Sequence, residues 1–285
     1  MRAWACALAV FWVVLLCPGA SAAQGEELPD TASGAPAFRR TASRVLIAGL
    51  LTGSLVDSYF AWWKGSSKPF TFHAENWVGK PFLGIDKAGH LYTSYFQFRT
   101  FRSILLWGEA PPDDAFWWGA ALAGLFALSV EVGDGLGEMG FDYQDLLFNM
   151  AGLGYGMLQV GHPFLENFAV KWSYIPQEGF TFPPRFTEHY DAHTYWLAVK
   201  VNNLLPQAAE GLWPDFLNLA VGYGVGDGLS RREWVVGLDF NLDCVPAPGA
   251  DLLLLRRILE LFRYPAPGVE FSSGKRPEYR LFHLN

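Results

Sequence analysis

The sequence predicts an α+β fold in which a bundle of about four short apolar helices precedes a small antiparallel β region with one amphipathic helix. Long apolar stretches fill the first half of the chain, whereas the second half alternates apolar and polar residues. The 285 residues are 51% hydrophobic, 16% aromatic and 17% charged, whereas about 25% of residues are charged in typical soluble domains. Low charge and abundant aromatic rings are typical of proteins that meet a lipid interface.

Residues 1–22 are predicted to form a signal peptide. Arg2 precedes an unbroken apolar run from Ala3 to Cys17, which is too short for a comfortable membrane span. Ala20-Ser21-Ala22 then fits a cleavage site between small residues. An uncleaved anchor is the alternative. Leu16 stands where a small residue should precede a lipidated cysteine, so Cys17 gives little support for lipid attachment.

A flexible leader, residues 23–43, is predicted to connect the signal peptide to a helical membrane-associated domain, residues 44–161. The leader is polar, rich in small residues and contains proline. The predicted helices are Val45–Trp63, Lys87–Trp107, Phe116–Val132 and Tyr143–Val160. Their lengths of roughly 17 to 21 residues fit thin or tilted membrane spans, and they also fit a buried soluble bundle. Because Lys and Arg residues flank these helices on both sides, an inserted and a peripheral arrangement both stay open.

Residues 162–285 are predicted to form a β-rich lobe with one amphipathic helix, Leu252–Phe262. The predicted strands are Thr194–Val201, Leu217–Tyr223, Glu233–Leu242, Gly268–Phe271 and Tyr279–His283. Large apolar residues alternate with small or polar ones along these strands, which favours a lobe with one apolar face. Gly222-Tyr223-Gly224 and the same alternation also suit lipid-facing strands, although five strands are too few to close a membrane barrel.

Polar side chains interrupt the apolar helices and form the candidate site. In chain order they are Asp86, Lys87, His90, Tyr95, Glu131, Asp134, Asp145 and Asn149. Asp86 is predicted as the N-cap of the second helix, one turn before His90. An acid inside an apolar helix costs free energy unless it is paired or hydrated, as for Glu131 after its uncharged run. We therefore expect these groups to converge at one end of the bundle.

Three roles for this cluster follow from its chemistry: catalysis or metal binding, recognition of a ligand or lipid headgroup, and a purely structural role. The candidates for catalysis are His90, Asp86, Glu131, Asp134 and Asp145, and those for binding are Lys87, Tyr95 and Asn149. His90, Glu131 and Asp145 are weak candidates for ligands of a divalent metal, because no HExxH-type spacing accompanies them. The third and favoured interpretation is a purely structural cluster, in which these groups cap and pack helices. The sequence identifies no cofactor.

Two further features are interpreted as structural, and charge limits the partners. The run from His189 to His193 precedes a strand and is predicted to lie at the surface. Cys244 is predicted to be a packed thiol. A formal net charge of −7 argues against nucleic acid as a partner. The expected partners are membrane lipid and an envelope protein or glycan.

The combination Asp86-Lys87-x-x-His90, Glu131-x-x-Asp134-Gly135 and Asp145-x-x-x-Asn149-x-x-Gly152 resembles DUF2279, a YfiM-like family of predicted periplasmic envelope proteins without an established reaction. It is more distantly similar to VanZ-like membrane proteins, which share an early Asp-Lys-x-x-His, a Glu and a late Asp-x-x-x-Asn-x-x-Gly. Later features, Tyr190-Asp191 and Val221-Gly222-Tyr223-Gly224, look like longer members of the first family. The resemblance implies export to a bacterial cell envelope, on the periplasmic side.

The expected function is that of an exported, membrane-associated envelope protein with a structural or binding role through a buried Asp/His/Glu/Asn cluster. The alternative is a membrane-surface hydrolase or transferase that acts on a lipid or cell-wall precursor. In that case His90 is the base, and Glu131 or Asp145 orients it or holds a metal.

Overall fold

A computed structural model describes residues 35–66, 68–74, 77–175, 189–209 and 212–283. The predicted signal peptide and residues 23–34 of the predicted leader lie outside the described residues. Helices dominate the first half of the described chain, and a six-stranded antiparallel sheet dominates the second. The predicted α+β class is confirmed.

Six α-helices are present in the described part of the chain. They are α1 (Ala35–Ser58), α2 (Ile85–Trp107), α3 (Pro112–Gly135), α4 (Tyr143–Gly161), α5 (Val201–Leu204) and α6 (Ala250–Leu259). A π-helical turn, Tyr59–Trp63, continues α1. The first four match the predicted helices, and α5 is a short addition.

Helix α1 begins earlier than the sequence predicts, because Ala35 to Ser43 is helical rather than part of a flexible leader. Pro36 suits the first turn, where its missing N–H group costs no hydrogen bond. Arg39 pairs with Asp251 at 3.2 Å, and Arg40 with Glu109 at 3.2 Å. Arg39 and Arg40, which fall within the predicted leader, therefore form surface ion pairs from the first turns of the helix.

Eight strands occur among the described residues. Two short ones, β1 (Phe72–His73) and β2 (Phe141–Asp142), pair in parallel. The six others follow each other in sequence order across one antiparallel sheet: β3 (Phe168–Tyr174), β4 (His193–Val199), β5 (Leu217–Gly226), β6 (Arg231–Phe240), β7 (Ala266–Ser272) and β8 (Glu278–His283). Strand β3 was not predicted, although Phe168, Val170, Trp172 and Tyr174 alternate with the smaller or polar residues Ala169, Lys171 and Ser173.

Helix α6 ends earlier than predicted, and the residues after it become extended. The backbone N–H of Trp172 donates to the carbonyl of Leu261, and the N–H of Arg263 donates to the carbonyl of Trp172. This segment, residues 261–263, therefore covers the outer edge of β3. An open sheet edge would otherwise expose unpaired backbone groups.

Two compact units make up the chain. The first unit comprises, among the described residues, 35–66, 68–74, 93–157 and 247–255. The second comprises 77–92, 158–175, 189–209, 212–246 and 256–283. Helix α2 contributes residues to both units.

Length and composition qualify two described helical segments to cross a membrane. They are Ala37–Trp63 and Pro112–Gly135. In the most apolar window of each segment, 22% of the first and 50% of the second is buried. A core helix of a soluble protein is mostly buried, so the low burial of the first segment distinguishes it from such a helix.

Candidate functional site

The buried centre of the first unit is a hydrogen-bonded network that joins α2, α3 and α4. The side-chain carbonyl of Asn149 accepts from the hydroxyl of Ser94 at 2.8 Å, and its amide donates to Oε1 of Glu131 at 3.3 Å. Ser94 and Glu131 are each 1% exposed. The structure therefore brings together Glu131 and Asn149 of the predicted cluster, and it adds Ser94, which the sequence did not single out.

Asp134 has a different task at the end of α3. Its Oδ1 atom accepts from the indole N–H of Trp63 at 2.7 Å. The ring of Trp63 lies so close to Gly133 that a Cβ atom there would approach it to 2.2 Å. The glycines around Asp134 thus make room for an aromatic ring rather than for a ligand.

Two other members of the predicted cluster lie in packed parts of the first unit. Tyr95 is 1% exposed, and its ring lies 5.8 Å from that of Tyr155. Asp145 is buried in the first turn of α4. The neighbouring carboxylate of Asp142 accepts from the backbone N–H of Gln144 at 2.8 Å and thereby satisfies a free amide at the start of the helix.

The second unit holds the remaining predicted residues at the start of α2. Asp86 lies within the first turn and is not the N-cap, because the helix already begins at Ile85. Its Oδ1 atom lies 3.6 Å from Nε2 of His90, and its Oδ2 atom lies 3.2 Å from Nζ of Lys87. Lys87 is only 3% exposed. The carboxylate therefore balances a buried ammonium group and lies beside an imidazole.

Tyr190 and His193 are the residues that the sequence interpretation misplaced. The hydroxyl of Tyr190 donates to Oδ1 of Asp86 at 3.3 Å. Ala192 and His193 are 0% and 7% exposed, so the prediction of a surface run from His189 to His193 is wrong for its last two residues. His193 is the first residue of β4 and lies beside aromatic rings. The sequence signals for its burial are its apolar neighbours and the alternation of the strand that follows.

His193 accepts hydrogen bonds through one ring nitrogen. The indole N–H of Trp172 donates to Nδ1 at 3.0 Å, and the hydroxyl of Tyr195 lies 3.2 Å from the same atom. A neutral His193 therefore carries its proton on Nε2. Burial, together with the nearby charge of Asp86, raises the pKa of Tyr195 well above its ordinary value, so its phenol stays protonated.

The two groups of side chains differ in what they can do chemically. In the first unit, Glu131 and Asp134 bond to partners that lock helices and a tryptophan in place. In the second unit, Asp86 and His90 form a carboxylate–imidazole pair of the kind that acid–base catalysis uses. The predicted metal ligands His90, Glu131 and Asp145 belong to different units, and that role stays a prediction.

Comparison with known proteins identifies one family. Residues 74–161 match the family described as "Predicted periplasmic lipoprotein (DUF2279)", and this range contains every residue of the predicted cluster. No curated protein and no solved structure matches the chain. The VanZ-like similarity and the resemblance beyond residue 161 stay predictions. The protein is exported and associated with the cell envelope, and its residues 74–161 are similar to DUF2279.

Proposed function

We propose that the protein is a membrane-attached structural or binding protein of the envelope, whose first unit contacts lipid. The observation that carries this proposal is the apolar surface of α1. Its exposed side chains are Phe38, Val45, Leu46, Leu50 and Val56, with Phe60 in the following π-helical turn. Water disfavours such a surface, whereas the hydrocarbon of a bilayer accepts it.

The polar residues of the same unit support this arrangement. Ser94, Gln97 and Thr100 follow one face of α2 and are between 1% and 7% exposed. Glu131 and Asn149 are equally buried. A helical unit with polar groups inside and large apolar groups outside is organised for lipid, because polar side chains in a bilayer face the bundle interior.

The candidate cluster contributes packing under this proposal. Hydrogen bonds between Ser94, Asn149 and Glu131 fix three helices relative to one another. This role involves no catalysed reaction. Buried polar networks of this kind specify a unique arrangement when their members are satisfied.

A pair of matched variants tests lipid contact. We expect Leu46→Glu with Leu50→Glu to lower the membrane-bound fraction of the protein by at least about tenfold, because each charge at depth costs about 2.5–3.5 kcal/mol. Leu46→Ala with Leu50→Ala should stay in the membrane fraction, since it removes bulk but adds no charge. Equal fractionation of the two double variants in alkaline carbonate would overturn the proposal.

A second candidate, a membrane-surface hydrolase or transferase, is favoured by the Asp86–His90 pair at 3.6 Å. The substrate class would be a lipid or cell-wall precursor, with His90 as the base and Asp86 orienting it. Incubation of the purified protein with envelope lipid extract, followed by mass spectrometry, would detect such turnover. A product that disappears in His90→Gln, while the melting temperature stays that of the wild type, would favour this candidate over the structural role.

A further inference from the structure

The sheet of the second unit has an outward face made of continuous apolar rows. Because paired residues in antiparallel strands share a face, the register places side chains of adjacent strands beside each other. One aliphatic row runs across five strands through Val170, Leu197, Val221, Val236 and Val269. The next row is aromatic and contains Trp172, Tyr195, Tyr223, Trp234 and Phe271.

The aliphatic row of this face is largely open, whereas Tyr195 and Tyr223 of the aromatic row pack against the buried cluster of Leu83, Ile85 and Val225. Leu197, Val221 and Val236 are 45%, 43% and 46% exposed, and Trp234 is 50% exposed. Other large apolar side chains with more than a third of their area exposed continue the face: Leu219, Phe271, Tyr279 and Leu281. An open apolar patch of this extent marks a surface that contacts something other than water.

The opposite, inward face of the sheet carries the charges beside a cluster of buried apolar residues, Ala169, Trp196, Ala198, Ala220 and Val235. Lys171, Asn218 and Asp239 are each 0% exposed. The Nζ atom of Lys171, on β3, lies 2.9 Å from Oδ2 of Asp239, on β6, and 2.8 Å from Oε1 of Glu260. Two strands separate β3 from β6, so the sheet must curl strongly for this ion pair to form. The curled sheet encloses its charged groups and neutralises them internally.

This polarity is the reverse of that of a sheet that faces water. An antiparallel sheet with one solvated face places apolar residues inside and polar residues outside. Strands that face lipid alternate in the opposite sense, with apolar residues outward and an aromatic row near the interface. Arg232 is the one charged side chain at the outward positions of the described strands β3 to β7, and it lies near the start of β6, where it donates to the carbonyl of Val78.

We propose that this outward face of β4 to β7 binds the acyl chains of a lipid leaflet. The outward apolar stretch from Leu217 to Tyr223 is about 20 Å long at about 3.3 Å per residue, which is shorter than the hydrocarbon core of about 30 Å. An open sheet edge cannot enter hydrocarbon, so the sheet contacts one leaflet with its face. A protein partner would instead require hydrogen-bonding groups across the surface, about one per 100–200 Å².

The inference goes beyond the function proposed above, because it concerns a separate surface on the second unit. Fluorescent probes at single cysteines test it in the full chain, with Cys6, Cys17 and Cys244 replaced by serine. An environment-sensitive nitrobenzoxadiazole probe is attached at Val236→Cys on the sheet, at Leu46→Cys on α1, or at Ser273→Cys in the exposed β7–β8 turn. Each protein is reconstituted in phosphatidylcholine vesicles with or without brominated acyl chains, and circular dichroism verifies the fold.

We expect brominated lipid to quench the probe at Val236 as strongly as the probe at Leu46, and to leave the probe at Ser273 unchanged. A quenched probe at Leu46 with an unquenched, water-exposed probe at Val236 would overturn this inference and leave the proposed function intact. A blue-shifted but unquenched probe at Val236 would also overturn it, since a protein would then cover the face. Quenching at neither position would contradict both proposals.

Discussion

Lys171 and Asp239 form an ion pair at 2.9 Å inside the curled sheet, and neither side chain is exposed to solvent. Burial alone would lower the pKa of Lys171, but the charges of Asp239 and Glu260 outweigh burial and raise it above its ordinary value. Burial raises the pKa of Glu260, and Lys171 offsets only part of that shift. The positive charge of Lys171 therefore offsets part of the free-energy cost of burying the carboxylates of Asp239 and Glu260.

The first prediction concerns this ammonium group. Lys171→Met should lower the free energy of unfolding by about 3–5 kcal/mol, because it removes the cation that contacts the buried carboxylates of Asp239 and Glu260. Thermal unfolding in detergent, followed by circular dichroism, measures the loss. The triple variant Lys171→Met, Asp239→Asn, Glu260→Gln is the control and should recover most of the stability. A single variant as stable as the wild type would contradict the ion-pair account.

The same variant should respond to pH in a defined direction. Without Lys171, the pKa of Glu260 in the folded chain rises further, so the folded chain binds its proton at a higher pH than the unfolded chain does. Stability then increases as the pH falls towards the ordinary range of a carboxyl group. We expect the deficit of Lys171→Met to shrink between neutral and acidic pH, and a constant deficit would contradict this reasoning.

Asn149 provides the second test, in the first unit. Asn149→Ala removes the partner of Ser94 and of Glu131 and should cost about 1–3 kcal/mol, since it leaves buried polar groups without their hydrogen bonds. Met150→Ala is the matched control, because its side chain is 39% exposed on the same helix. Equal melting temperatures for the two variants would show that the network contributes little to packing.

Two glycines of α4 separate close helix packing from helix propensity. A Cβ atom on Gly156 would lie 2.8 Å from the ring of Phe98, whereas one on Gly154 would have nothing within 4 Å. Gly156→Ala should therefore destabilise the protein by about 1–3 kcal/mol through overpacking. Gly154→Ala should stabilise it by about 0.5–1 kcal/mol, because alanine favours the helix. The opposite order of melting temperatures would contradict the packing of α2 against α4.

The proposal that the fold attaches the protein to the membrane, rather than a lipid anchor, gives a further prediction. Cys17 follows Leu16, which does not suit a lipidated cysteine. We expect Cys17→Ala to fractionate with membranes as the wild type does, with Cys6→Ala as the control. Release of Cys17→Ala alone into the soluble fraction would show that a lipid anchors the chain.

Sequence periodicity located the helices and most strands, because apolar runs and alternation are local signals. The start of α1 was missed because ion pairs with Asp251 and Glu109, distant in the sequence, stabilise it. Strand β3 was missed although Phe168, Val170, Trp172 and Tyr174 alternate with Ala169, Lys171 and Ser173; the burial of Lys171 in it depends on partners on β6 and after α6. Such long-range compensation has no local signature.

The sequence likewise predicted some residues of the candidate site and missed others. Glu131 and Asn149 were found because polar residues in apolar helices must be paired. Ser94 was missed since a serine in an amphipathic helix is unremarkable by itself. Tyr190 and His193 were assigned to the surface because their contacts with Asp86 and Trp172 come from distant segments. The pairing of Asp86 with His90 needed only the spacing of one helical turn.

Photolabelling from within the bilayer tests most directly the central claim that both units turn apolar side chains towards lipid. An apolar diazirine that partitions into vesicles is activated by light, and labelled residues are identified by mass spectrometry. We expect label at Leu46 and Leu50 on α1 and at Val221 and Val236 on the sheet, with none in the β7–β8 turn around Ser273. Label confined to the turn, or absent from either apolar surface, would contradict it.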